Sequence, residues 1–179
     1  YKIYNLLEDK SFRVRLVRVN YKDSRGKVRA FSQYAFLIED DKDLAIRNNC
    51  IKKAKAQYLT ESTDRELMTK VAVFEYMISN GDWSVPNNHN IRLIYDKNNE
   101  AALPFAVPYD FDHAGIVNAP YARPAEELLM SSTRERRYRG YCMPDLKAFE
   151  SVIALYNRFK NEIYSLYSNC SLLDAKYKK

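Results

Sequence analysis

The sequence holds no run of 18 apolar residues, the length a membrane-spanning helix needs, so none is expected. It has no C-x-x-C pair. Its three cysteines, Cys50, Cys142 and Cys170, are widely spaced and odd in number, which argues against a disulfide framework and against a zinc site. Internal repeats and low-complexity stretches are missing too. No signal peptide is visible, and the chain opens on Tyr1, with residues 1–7 patterned like the last turns of a helix. It is therefore expected to be a fragment of a longer protein.

The 179 residues that are there are 46% hydrophobic and 29% charged, which suits one domain with its own core rather than two. A net charge of +6 favours an anionic partner such as nucleotide phosphate, nucleic acid or an acidic surface. The fifteen tyrosines are spread along the whole chain, as core and surface filler would be. A stacking platform for nucleic acid is not expected.

Residues 12–21 (FRVRLVRVNY) and 31–38 (FSQYAFLI) flank Asp23-Ser24-Arg25-Gly26, which predicts a hairpin with a long polar loop. Phe12, Val14 and Leu16 alternate with arginines before Val17 and Val19 change phase, which predicts a bulge. Arg13, Arg15 and Arg18 are expected on the hairpin's solvent side. After Glu39-Asp40-Asp41 the pattern turns helical. Thr63-x-x-Glu66 reads as a capping box ahead of Leu67, Val71, Phe74 and Ile78, the core face of a helix that should end near Asn80-Gly81. Strands are expected at 91–95 and about 103–109, with a turn at 96–99. Leu146, Phe149, Val152, Ile153, Tyr156, Phe159, Ile163 and Leu166 mark one long helix behind Pro144. The order reads as α+β.

Two polar clusters stand out. One runs from Asn80 through Gly81, Asp82, Trp83 and Ser84 to His89 and Asn90; the other is Tyr109-Asp110-Phe111-Asp112-His113-Ala114-Gly115. Antiparallel pairing of the two short strands brings Asn90 and Asp110 to the hairpin's open end, with Asp82 in the loop just before it. A carboxylate that orients an attacking hydroxyl, beside Asn and Asp oxygens that hold Mg²⁺ against phosphates, is the set phosphoryl transfer requires.

That order resembles a kinase catalytic loop followed by the magnesium-binding D-F-G segment, here Asp110-Phe111-Asp112. It is more similar to the atypical kinases of the spore-coat CotH family and to HipA-like kinases, in which an Asp loop ends in Asn before a strand. Pro108-Tyr109-Asp110-Phe111-Asp112 is similar to the CotH-type P-W-D-L-D. VPYDFDHAGIVNAPYA, SFRVRLVRVNY and YAFLIED also resemble a group of uncharacterised Bacteroidetes cell-envelope proteins. The resemblance implies a protein-kinase-like α+β domain over residues 1–179. Residues 1–41 would supply the last N-lobe hairpin and hinge, and 42–179 the C-lobe. It implies ATP and Mg²⁺ as cofactors, transfer to a hydroxyl acceptor such as a protein, and export to the cell envelope.

Carried over by position, Asp82 is the catalytic base and Asn90, Asp110 and Asp112 are metal ligands. Phe36, Leu37, Ile38, Glu39 and Asp40 form the strand end and hinge that meet adenine. Asn90 follows Asp82 by eight positions where typical kinases have five, so Asn87 competes for its role. Asp112 replaces the glycine of D-F-G, and the phosphate-gripping Lys and glycine-rich segment would precede Tyr1. Three alternatives stay open: a non-catalytic kinase-fold binding module, adenylyl transfer, and a metal-dependent phosphoesterase using His89 and His113 with the same aspartates. The two histidines are otherwise expected to bond backbone in tight loops. The basic run at Arg134, Arg136, Arg137 and Arg139 reads as a solvated face or a receptor for an acidic substrate. The end at 176–179 reads as a frayed, solvated tail.

Overall fold

The computed structural model describes residues 1–54, 57–143 and 145–175. Pro144 and the lysine-rich end at 176–179 lie outside the described residues.

After a short helix α1 (Lys2–Leu7), strands β1 (Val14–Tyr21) and β2 (Phe31–Ile38) pair antiparallel from Val14↔Ile38 to Tyr21↔Phe31. Each residue has one partner, so the expected bulge is not there. A change of hydrophobic phase costs register only where one face is buried. Here Leu16 and Phe36 are 53% exposed on one face and Leu37 is 61% exposed on the other. Arg13, Arg15 and Arg18 are exposed, Arg15 and Arg18 on opposite faces.

Asp40 caps α2 (Asp41–Arg47) by accepting from the Lys42 N–H at 2.8 Å. Arg47, in its last turn, forks onto Glu39 through Nε and Nη2, both at 2.9 Å. It also donates to the Asp9 and Ser11 carbonyls, which ties the end of β2 to the turn after α1. The second sheet has the order β3 (Cys50–Ile51), β4 (Ile91–Asp96), β5 (Phe105–Pro108), all antiparallel. The last strand is shorter than 103–109 because Pro104 and Leu103 lie in the turn that leads to it.

Helix α3 (Arg65–Ile78) packs on β5 and buries Leu67, Val71, Phe74 and Ile78. Its N-cap is Asp64, whose carboxylate accepts from the Leu67 N–H at 2.9 Å. Thr63 lies one residue outside the cap, and its hydroxyl donates to the Thr60 carbonyl at 2.7 Å. Ser79, not Gly81, takes the left-handed C-cap conformation, with φ +59. Gly81 lies close-packed instead: a Cβ there would come within 3.0 Å of Met130 Sδ and 3.2 Å of Ala125 Cβ.

The long C-terminal helix is three pieces: a 3₁₀ turn (Leu146–Phe149), α4 (Glu150–Arg158) and α5 (Lys160–Ser168). The break falls at Phe159, where ψ rises to 9°, and neither Pro nor Gly marks it. One core gathers Tyr4, Met68, Val71, Phe74, Trp83, Ile91, Phe111 and Tyr141; a smaller one joins Phe12, Leu44, Ile94 and Val107. The fold is mixed α/β with two small antiparallel sheets. Among the described residues, no helix is long and apolar enough to cross a membrane.

Candidate functional site

Ser79 turns the chain out of α3, and the Asn80 N–H closes the cap on the Glu75 carbonyl at 2.8 Å. The loop that follows is held by its own backbone. Ser84 and His89 exchange both N–H···O bonds at 2.9 Å, and Asn88 donates to Val85 at 3.0 Å. Trp83 and Val85 anchor the loop in the core, leaving the Asp82 side chain 34% exposed.

Both Asp82 carboxylate oxygens are engaged. Oδ1 lies 2.8 Å from His89 Nε2, and Oδ2 accepts from Asn90 Nδ2 at 3.0 Å. Asn90, buried and at φ +53, donates the same amide to the Asp82 carbonyl at 2.7 Å. A carbonyl only accepts, so the group facing Asp82 must be the NH₂, and Asn90 Oδ1 is turned away. Asn87 is exposed and donates its N–H to Ser84 Oγ at 3.3 Å. Asn90, rather than Asn87, bonds Asp82.

The second cluster arrives on β5. The Tyr109 N–H donates to the Asn90 carbonyl at 3.0 Å, which extends the ladder beyond Ile91↔Pro108. Asp110 then turns at φ +58 and donates its N–H to the Tyr1 hydroxyl at 2.9 Å. Phe111 is the anchor, its ring centroid 4.9 Å from Tyr1 and 5.4 Å from Phe74. Just beyond it, Asp82, Asp112 and His113 offer ligand atoms that all lie within 4.8 Å of one another.

These carboxylates repel. Partial burial first, then Asp112 and Asp82, push the Asp110 carboxyl above its ordinary range, against the opposing pull of His113. Asp112 in turn accepts from Tyr121 and pushes that phenol up. Repulsion between gathered carboxylates is what a hard divalent cation with oxygen ligands relieves. Among the described residues the group close enough to share one is Asp82, Asp112 and His113, which does not include Asp110. Asn90 turns its NH₂ rather than Oδ1 toward Asp82.

Of the five residues expected to meet adenine, Phe36 lies one side chain away. Phe36 meets the Tyr1 ring at 5.3 Å, and Tyr1 meets Asp110 and Phe111. Leu37 and Ile38 are exposed, Glu39 is held by Arg47 and by the Arg13 N–H, and Asp40 is spent as the α2 cap. His89 departs from expectation, since its ring is bonded to the Asp82 carboxylate and not to backbone. Two residues central to the geometry had little signal in sequence. Tyr1 links Phe36 to Asp110, and Arg139 reaches the Asp82 loop from a segment far along the chain. The chain matches no protein-family model, no curated protein and no solved structure.

Proposed function

We propose that the chain carries the catalytic half of an ATP- and Mg²⁺-dependent phosphotransferase of kinase-like organisation, with a hydroxyl group as acceptor. One observation carries the reading. The Asn90 amide is locked onto both the carbonyl and the carboxylate of Asp82, at the open end of a hairpin whose other strand delivers Asp110 and Asp112. This supports a base held in place beside the carboxylates that would serve a metal.

In this reading Asp82 orients the acceptor hydroxyl and takes its proton, while His89 holds the other carboxylate oxygen in place. Asn90 Oδ1, Asp110 and Asp112 would hold Mg²⁺, which supplies charge neutralisation at the phosphates. Residues 36–40 would meet the adenine, with Tyr1 spacing them from Asp110. The division into a hairpin-and-hinge part at 1–41 and a larger part at 42–179 belongs to the same reading.

His113 favours a second one. Its ring, with Asp82 and Asp112, makes a mixed nitrogen and oxygen set within 4.8 Å, as a metal-dependent phosphoesterase would need. Calorimetry with Mg-ATP and transfer of label from ATP by the full-length protein separate the two. Binding with transfer supports the kinase reading. Hydrolysis of a phosphate ester without ATP binding supports the other, and neither activity removes both.

A further inference from the structure

The basic run near residue 137 is not uniform. Arg134, Arg136 and Arg137 are exposed, whereas Arg139 turns inward. Its Nη1 donates to two backbone carbonyls, Gly81 O at 2.6 Å and Trp83 O at 2.5 Å. Those residues flank Asp82 on either side. The guanidinium also lies over the Trp83 ring, 5.1 Å from its centroid.

The start of this side chain is fixed as well. A Cβ on the next residue, Gly140, would come within 2.6 Å of Ala72 Cβ on α3, so the backbone there is pressed against the helix. Upstream, the Ser79 hydroxyl lies 2.9 and 2.8 Å from the Thr133 and Glu135 carbonyls and donates to one at a time. The Gly115 N–H donates to the Ser79 carbonyl at 2.9 Å. Segment 115–139 thus grips the root of the Asp82 loop and the two peptides that flank Asp82.

Burial pulls the Arg139 pKa down, and the carboxylates of Glu127, Asp82 and Glu75 oppose that pull. A guanidinium stays charged under such conditions and offers a planar fork that stacks on indole; a lysine offers neither fork nor plane. We propose that Arg139 is the positioning residue of the Asp82 loop: it fixes the two peptides that flank the base and so sets where the carboxylate meets the acceptor hydroxyl. This rests on the phosphotransferase reading for its consequence in rate, though not for the grip itself.

Arg139→Ala in the full-length protein should slow transfer of label from ATP about 10²-fold, the scale of a misplacement near 1 Å. Mg-ATP affinity by calorimetry should stay within about twofold, since no ligand of the metal moves. Arg139→Lys should recover only part of the rate, and methylguanidinium added to Arg139→Ala should recover more. Wild-type turnover in Arg139→Ala overturns the proposal, as does an equal loss of Mg-ATP binding with no rescue. Amide exchange decides the grip even if the wild-type protein transfers nothing, a result that would sink the phosphotransferase reading alone. Exchange at Asp82 and Ser84 should quicken in Arg139→Ala and slow again with methylguanidinium. Unchanged exchange there overturns the proposal.

Discussion

The molecule holds two antiparallel hairpins that differ in what surrounds them. The β1–β2 ladder has eight residue pairs, yet not one of its residues is buried. The β4–β5 ladder has only four pairs, but Ile91, Leu93, Ile94, Ala106, Val107 and Pro108 are all buried. A two-stranded hairpin alone is marginal in water, and it gains stability by packing against something else. The longer ladder is held mainly at its base, by Phe36 on Tyr1 and Glu39 on Arg47. The shorter one lies on α3 and carries the acidic cluster at its open end. Burial, not ladder length, decides which hairpin can hold chemistry to tolerance.

The largest expected effect bears on the shorter hairpin. Asp82→Asn should lower phosphoryl transfer by about 10²–10⁴-fold, the usual contribution of a general base, with Mg-ATP affinity kept. Asp110→Asn should weaken Mg-ATP binding as well as turnover, because its oxygen would serve the ion in both ground and transition states. Calorimetry beside labelled-ATP transfer reads both variants. Full transfer by Asp82→Asn would break the assignment of the base.

Next comes stability. Ile94 is fully buried, so Ile94→Ala should cost about 2–5 kcal/mol in denaturant unfolding. Leu16→Ala, on the exposed hairpin, should cost less than about 0.5 kcal/mol. Equal costs would mean that the first hairpin is covered in solution by something other than the described residues.

A smaller effect is expected from α3. Glu75 is fully buried, and among the described residues neither carboxylate oxygen has an aligned hydrogen-bond partner. Burial raises its pKa from 4.5 to about 8; the nearby Asn80 amide and Arg139 oppose this only in part. The folded state therefore binds a proton that the unfolded state releases between those values. Its contribution is full below about pH 4.5 and lost by about pH 8. Across that window stability should fall as pH rises, and Glu75→Gln should flatten the slope. Urea melts from pH 5 to 9 on both proteins measure it, and parallel curves would refute it.

The contrast between hairpins also explains what was legible in sequence. Two strands joined by a short connection, residues 97–104, fix their own pairing, so the neighbourhood of Asn90 and Tyr109 followed from local pattern. Leu67, Val71, Phe74 and Ile78 repeat at helical spacing and are the core face of α3. The bulge was misread because alternation carries register information only where one face is buried, and neither face of the first hairpin is. Thr63 and Asp64 are both good caps, and what separates them is where the helix starts: at Arg65, so that Asp64 is the residue whose carboxylate reaches the Leu67 N–H. Arg139 looks like any residue of a solvated basic run. Its partners, Gly81 and Trp83, lie more than fifty positions earlier and are bonded through backbone, which leaves no side-chain signature.

The smallest predicted effect sharpens the comparison at its far end. The loop of the first hairpin is organised by one carboxylate: Asp23 accepts from the N–H groups of Arg25, Lys27 and Val28 at 2.9, 2.7 and 3.0 Å. Those three bonds hold its pKa below the ordinary 3.8. A lowered pKa means the order they confer is present above that value and fades as pH drops through the folded one. All three bonds stay within the loop, so the consequence is local. Asp23→Ala should quicken amide exchange at Arg25, Lys27 and Val28, and leave exchange along β4 and β5 and the thermal midpoint unchanged. Acidification of the wild-type protein should reproduce the loop effect in the same order. If exchange in β4 responded to Asp23→Ala, the two hairpins would be one cooperative unit, and the independence inferred from their burial would be wrong.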